Sequence, residues 1–324
     1  MTSIRLTGPK RRGEPRGVVI PLVQVVRDGL VESVHFGSRV VLGPGGEVLE
    51  AGGDVDEPGY PRSTAKLMQA TGMVRLGLDL PPDLLALAAA SHSAEEFHLA
   101  GATRILAEAG LTEDDLKCPA HLPHDPVLHD RWIAEGRAPR RLAHCCSGKH
   151  SAMLATAKLN GWSTGDYLDP AHPLQAALAE TVAELAGEPV AHTAVDGCGA
   201  PLFAISLRGL ARAVQRVATA PHGTAEHRVA EAIRKHPEML AGPNRDVTQL
   251  MSAVPGLIAK DGAEAVQIAI LPDGTTVAVK IADGSARGRM PATLAALRRV
   301  APEYDWDDVV KRCPSLDEPN MVGL

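Results

Sequence analysis

Ser63-Thr64-Ala65-Lys66 is the first pattern in this 324-residue chain whose side chains could do chemistry together. If Ser63 begins a helix, Ser63 and Lys66 share a face one turn apart. A serine hydroxyl is a poor nucleophile until a base takes its proton. A lysine can be that base only when burial or a nearby cation makes it neutral. The same spacing also describes a helix-capping serine followed by a solvated lysine, so the pattern needs partners. Ser91-His92-Ser93 follows a helical stretch about thirty residues on, and Lys280 lies in an alternating strand. Read by pattern alone, Lys280 is equally an outward-facing strand residue.

The thiols form a second set. His144-Cys145-Cys146-Ser147-Gly148-Lys149-His150 leads into an apolar helix, and Cys198 stands between glycines in Val195-Asp196-Gly197-Cys198-Gly199-Ala200-Pro201. Backbone N–H groups at a helix start, with Lys149 nearby, would lower a thiol pKa. Cys146 could therefore be a nucleophile. Two cysteines with several histidines also suggest zinc, although the spacing is not that of a finger or ribbon. Buried cysteines beside turns are the third reading.

These side chains need a scaffold. Leu22 to Val26, the Arg27-Asp28-Gly29 turn and Val31 to Leu42 read as a hairpin. Gly43-Pro44-Gly45-Gly46 reads as a turn between strands, because a phosphate cradle would end in Lys-Ser/Thr. Helical spacing of apolar residues marks 63–77, 82–90, 95–109, 150–159, 173–186, 201–217 and 224–235. Ala265 to Leu271, a Pro272-Asp273-Gly274 turn and Thr275 to Ala282 read as a second hairpin, before a helix at about 291–300. Strands, many helices, strands, helix is the order of an α+β fold. An antiparallel sheet from about 20–60 and 262–300, with a helical region at about 63–260, would make one domain over 1–324.

Composition narrows the partners. The chain is 45% hydrophobic with net charge -6, which suits a sizeable core and no basic stripe. Three Trp, three Tyr and three Phe offer little to stack on bases, so nucleic acid is not expected. No apolar run is long enough to span a bilayer, and Met1 to Arg16 lack a signal-peptide pattern. A cytoplasmic protein is expected, without membrane partners and as a homodimer. Five cysteines, Cys118, Cys145, Cys146, Cys198 and Cys313, argue for free thiols or metal ligands rather than a disulfide framework.

A helix-start Ser-x-x-Lys, a second serine and a C-terminal strand lysine together resemble the layout of β-lactamase-like and glutaminase-like serine enzymes. More specifically, the chain is similar to the thermolabile, Rhizobium-type (class 3) L-asparaginase family, asparaginase II. The matching stretches are Arg62 to Lys66 with Gln69, Ala90 to Ser93, Cys146 to His150, Val195 to Pro201, and Lys260-Asp261-Gly262-Ala263-Glu264. Their order and approximate spacing hold over roughly residues 20 to 300. The sequence departs from the family's pattern at Leu67-Met68, where phenylalanine is common after the lysine. His144-Cys145 stands in place of asparagines, and Ala265 in place of glycine.

The resemblance implies a β-lactamase/glutaminase-like fold and two Ser-Lys tandems, Ser63 with Lys66 and Ser93 with Lys280. Local spacing leaves Ser91 open as the second serine. It implies a zinc site at Cys146, Lys149 and Cys198, with Asp196 supporting it. Its substrate would be L-asparagine, hydrolysed to L-aspartate and ammonia. Arg62 is a candidate for the substrate carboxylate by charge only. The rivals are another Ser-Lys amidase, a glutaminase or β-lactam hydrolase, and a zinc-dependent binding protein without catalysis.

Overall fold

The computed structural model of the chain describes residues 4–5, 17–312 and 320–324, so Cys313 and most of the segment Met1 to Arg16 lie outside it. The N-terminal strands are β1 (Ile4–Arg5), β2 (Val18–Arg27), β3 (Leu30–Leu42), β4 (Val48–Gly52) and β5 (Pro58–Gly59). Asp28 and Gly29 both have positive φ, 48° and 81°. That is the geometry a two-residue hairpin turn between twisted strands requires. Gly43 to Gly46 forms the expected turn, closed by the Gly46 N–H donating to Gly43 O.

Helices α1 (Lys66–Arg75), α2 (Pro82–Ala88), α3 (Glu96–Glu108), α4 (Pro126–Ala134), α5 (Ser147–Leu159) and α6 (Pro173–Ala186) follow. Next come β6 (His192–Val195), β7 (Pro201–Ser206), α7 (Leu207–Ala218), α8 (Ala225–Lys235), α9 (Pro237–Leu240) and α10 (Asp246–Ala253). The chain returns to strands with β8 (Ile258–Gly262), β9 (Val266–Ile270) and β10 (Thr276–Ile281). It ends with α11 (Arg289–Val300), α12 (Trp306–Arg312) and β11 (Met321–Gly323).

The main sheet runs β1-β2-β3-β10-β9-β8, with β11 on β2 and β4 on β3. Every pairing in it is antiparallel. The two ends of the sequence thus build one sheet, as the α+β expectation requires. Helices α7 and α11 both pack on β9 and β10. Strands covered this way read as continuous apolar runs rather than alternating ones, and all of Val266 to Ile270 is buried. Each fully buried valine of β10, Val277 and Val279, contributes roughly 1.5–3 kcal/mol relative to exposure.

One expected helix is divided. Residues 201–206 form β7, which pairs with both β5 and β6, and the helix starts only at Leu207. The reason is local. Pro201 to Ser206 is buried throughout, and such a short apolar run fits strand and helix alike. Ser206 then caps α7, its Oγ accepting from the Gly209 N–H at 2.9 Å. Helices α4, α9, α10 and α12 and strands β6, β8 and β11 were not anticipated, so the C-terminal part of the sheet begins before the expected boundary at 262.

Candidate active site

Four segments converge where the helical region meets the edge of the sheet. The first is the turn before α1. Arg62 to Ala65 forms a 3-10 turn, and Arg62 has φ 50°. A non-glycine residue held there marks backbone strain of the kind that collects at functional sites. The Ser63 hydroxyl has no hydrogen-bond partner among the described residues. Strand β8 packs against this turn, and a Cβ on Gly262 would lie 3.1 Å from the Ser63 nitrogen.

Helix α1 is buried from Lys66 to Val74. The Lys66 ammonium, 1% exposed, therefore finds its partners inside the protein. It donates to Ala90 O at 2.5 Å, Ser91 Oγ at 2.9 Å and Cys146 Sγ at 3.1 Å. Satisfied donors are what a buried lysine needs. No hydrogen bond joins Lys66 to Ser63.

The second segment is the Ser91-His92-Ser93 loop. It is zipped into place by Ser91 N donating to Leu240 O, His92 N to Cys145 O and Ser93 N to Ala241 O. The Ala94 N–H donates to His92 Nδ1. That leaves Nε2 to donate to Ser147 Oγ at 2.9 Å. Burial, with the nearby His98 and Lys66 charges, holds His92 well below the usual imidazole range. Ser91 thus faces Lys66, whereas the Ser93 hydroxyl donates to Ala241 O at 2.9 Å.

The third segment is the thiol cluster. Cys146 precedes α5, and Lys149 Nζ donates to Cys198 Sγ at 3.2 Å. Burial disfavours the Lys149 ammonium, but the Cys198 and Cys146 sulfurs and Asp196 outweigh it and raise its pKa. The Cys145 contact works against ionisation of Cys146. Cys198 and Lys66 favour it, and the net direction is down. Cys145, half-buried with its sulfur 3.8 Å from that of Cys146, is brought down to about 6, chiefly by that contact. Cys118 is pushed the other way, to about 12, by burial and by the neighbouring Cys146 and Cys198. His150 Nδ1 meets the Tyr167 hydroxyl at 2.7 Å, while its Nε2 is buried without a partner.

Two overlapping sets could hold a metal. A ring nitrogen of His144 and the sulfurs of Cys145 and Cys146 lie within 4.8 Å of one another. Cys146, Lys149 and Cys198 form the other set. Two ligands about 2.3 and 2.1 Å from a tetrahedral zinc stand about 3.6 Å apart, close to the 3.2 Å between Lys149 Nζ and Cys198 Sγ. Thiolate and neutral amine donors also suit zinc. The residues fit the ion.

The fourth segment carries a side chain to which the sequence reading gave no role. Lys260, on edge strand β8, is wholly buried. Its Nζ donates to Asp261 O at 2.7 Å and Asp261 Oδ1 at 3.0 Å. Burial first, then the Lys66 charge, bring its pKa down to about 8 against the pull of Asp261. The signal was visible: Lys260 opens one of the five quoted stretches.

Lys280 is placed differently from the expectation. It lies on β10, flanked by β3 and β9, and its Nζ donates to Ile281 O at 2.5 Å. It borders a cavity of about 930 Å³ with Ser38, Tyr60 and His192. The expected Ser93–Lys280 pair is not formed. Arg62 is also engaged, pairing with Asp196 Oδ1 through Nε at 3.0 Å and through Nη2 at 2.9 Å. Asp196, expected to support the zinc ligands, therefore links the Ser63 turn to the Lys149 cluster. Burial acts to raise its pKa, but Lys149 and Arg62 hold it below the usual carboxylate range.

No helix among the described residues is long and apolar enough to cross a membrane. Among curated protein sequences none matches the chain. Of solved structures, that of Mglu in its native form is 14% identical, with TM-score 0.43 over 84% of this chain and 64% of that one. The chain therefore spans just under two thirds of Mglu. A β-lactamase (Mb2281c) from Mycobacterium bovis is 14% identical, with TM-score 0.43 over 81% of this chain and 94% of that one. EstCE1, a hydrolase with promiscuous acyltransferase activity, is 14% identical, with TM-score 0.39 over 78% and 91%. A family model described as L-asparaginase II matches residues 23–319. The chain, with its buried Ser-Lys and Cys-Lys contacts, belongs to the L-asparaginase II family of amidohydrolases.

Proposed function

We propose that this protein hydrolyses L-asparagine to L-aspartate and ammonia with Ser63 as nucleophile. One observation carries the reading: the buried Lys66 ammonium binds both Ser91 Oγ and Cys146 Sγ. The serine and thiol sets thus share one lysine. Burial, with the Lys66 charge beside it, brings the pKa of Lys260 down to about 8, so Lys260 gives up its proton more readily than an isolated lysine does. The neutral amine takes the proton of Ser63 as its oxygen attacks the side-chain amide carbon. The Ser63 backbone N–H, at the strained turn, is the oxyanion donor. Ammonia leaves with a proton relayed through Ser91, and water then hydrolyses the acyl-enzyme.

Cys146, Lys149 and Cys198 would hold zinc, with His144 and Cys145 as the neighbouring alternative for two of those positions. The ion would supply positive charge that keeps its thiols ionised and orders a polar group. The lysine ligand must be neutral to bind, so loading falls at low pH. Asp196 steadies Lys149 and Arg62. A cytoplasmic homodimer with a single domain belongs to the same proposal.

Ammonia release from asparagine, glutamine and nitrocefin hydrolysis, each with and without a chelator, test the reading together. Turnover of asparagine above the others is expected. Hydrolysis confined to nitrocefin or glutamine moves the substrate. Bound zinc without any hydrolysis makes the chain a binding protein.

A further inference from the structure

Beside Ser93 lies a group of buried charged side chains. Arg245 Nη2 pairs with Asp261 Oδ2 at 2.6 Å, and Lys260 with Asp261 Oδ1 at 3.0 Å. Arg289 pairs with Asp246 at 2.7 Å and approaches Asp261 at 3.9 Å. Lys260, Arg245 and Arg289 thus all gather around Asp261, which leaves Arg245 sharing its carboxylate with two other side chains. Burial alone would raise the pKa of Asp261, but Lys260, Arg245 and Arg289 hold it well below the usual range. It stays ionised and engages those side chains.

One donor in this group is unused: Arg245 Nη1 is buried and has no hydrogen-bond partner. Arg245 also stands next to the serine loop. A Cβ on Gly242 would lie 1.8 Å from Ser93 Oγ and 3.7 Å from Arg245 Cγ. Gly242, at φ 129°, is what lets the two approach. His124 lies within range of the charges of Arg245 and Lys260. Arg62, the arginine singled out by sequence, already has Asp196.

We propose that Arg245 is the specificity-determining residue, its free Nη1 receiving the carboxylate of an amino-acid amide substrate. The inference rests on the amide-hydrolase reading above and names the end of the substrate it recognises. A guanidinium offers a carboxylate a planar, directional donor that a lysine lacks. A site built around such a bond rejects analogues without the partner group.

The test compares the full chain with Arg245→Lys, which keeps a cation for Asp261, and with Arg245→Gln. The substrates are L-asparagine and its α-amide, which lacks the carboxylate. In Arg245→Lys the preference for asparagine should fall about tenfold or more, through KM, with kcat within about threefold. Equal losses on both substrates, or an unchanged preference, overturn the assignment. Titration calorimetry with L-aspartate separates this failure from failure of the function itself, and decides where the α-amide is not turned over. Should no amide be cleaved by the natural chain, aspartate binding weakened about tenfold in Arg245→Lys still supports Arg245. Equal binding by both, or none by the natural chain, removes it.

Discussion

Lys260 and Lys280 stand on two strands of one sheet and meet different surroundings. Strand β8 is the outer strand of the path and packs on the Ser63 turn, so Lys260 enters the helical interior beside Lys66. Strand β10 is flanked by β3 and β9, and Lys280 turns to Ile281 O at the rim of a cavity that also reaches Pro61. Burial lowers both pKa values, and acidic neighbours oppose it in both, Asp261 for Lys260 and Glu264 and Asp283 for Lys280. A cation acts in the same direction as burial in each case, Lys66 on Lys260 and Arg62 on Lys280. Both lysines have a cationic neighbour, and what separates them is depth: Lys260 is wholly buried and its pKa falls to about 8, whereas Lys280 is only half-buried.

Replacing the nucleophile should have the largest effect. Ser63→Ala should reduce kcat by about 10⁴-fold or more with unchanged thermal unfolding. Retained turnover in Ser63→Ala, with loss in Ser91→Ala, would transfer the nucleophile to the serine that Lys66 holds. The two strand lysines come next. Lys260→Met should lower kcat/KM by about 10²–10⁴-fold, and Lys280→Met by less than about threefold. The opposite ranking breaks the comparison.

Asp261 tests the support of the edge position. Asp261→Asn leaves its buried cations short of a carboxylate, and chemical denaturation should show a loss of about 3–5 kcal/mol. Because its folded pKa is depressed, its contribution is present above the ordinary carboxylate range and disappears as pH falls through the folded value. A loss below about 1 kcal/mol would mean that water relieves those charges.

The pH profile sharpens the contrast further. A base near 8 predicts kcat/KM rising about tenfold per unit below that pH and flat above it. Lys260→Met should lose this limb and Lys280→Met should keep it. The sign for stability follows from the same depression. The unfolded lysine binds its proton more tightly, so stability rises from about pH 8 toward the ordinary lysine range.

The smallest expected effect lies at Ala265, where the family resemblance leads one to expect glycine. Ala265 is buried with φ 54°, directly after Glu264 at φ 58°. A Cβ is strained in the left-handed region, so Ala265→Gly should stabilise the chain by about 1 kcal/mol. A destabilised variant would show that the lost methyl contact outweighs that strain.

Local patterns were sufficient for much of this protein. The hairpin at Asp28-Gly29, the α+β order and the nearness of Cys146 to Lys149 follow from turn chemistry, periodicity and spacing within one helix start. The buried contact between Lys66 and Ser91 was not decidable in that way. Ser91 and Ser93 are two residues apart, and only the hydrogen bonds from their N–H groups to Leu240 and Ala241 orient one toward Lys66. Lys280 read as a strand lysine and Lys260 fell at the end of the expected helical region, because strand order in a sheet is a property of long-range pairing. Arg62 carried the charge for a carboxylate, but charge in a sequence does not reveal a partner 134 residues away. Residue types and their spacing set which chemistry is available; the tertiary pairings, which bury some charges beside like charges and others beside opposite ones, decided which side chains can perform it.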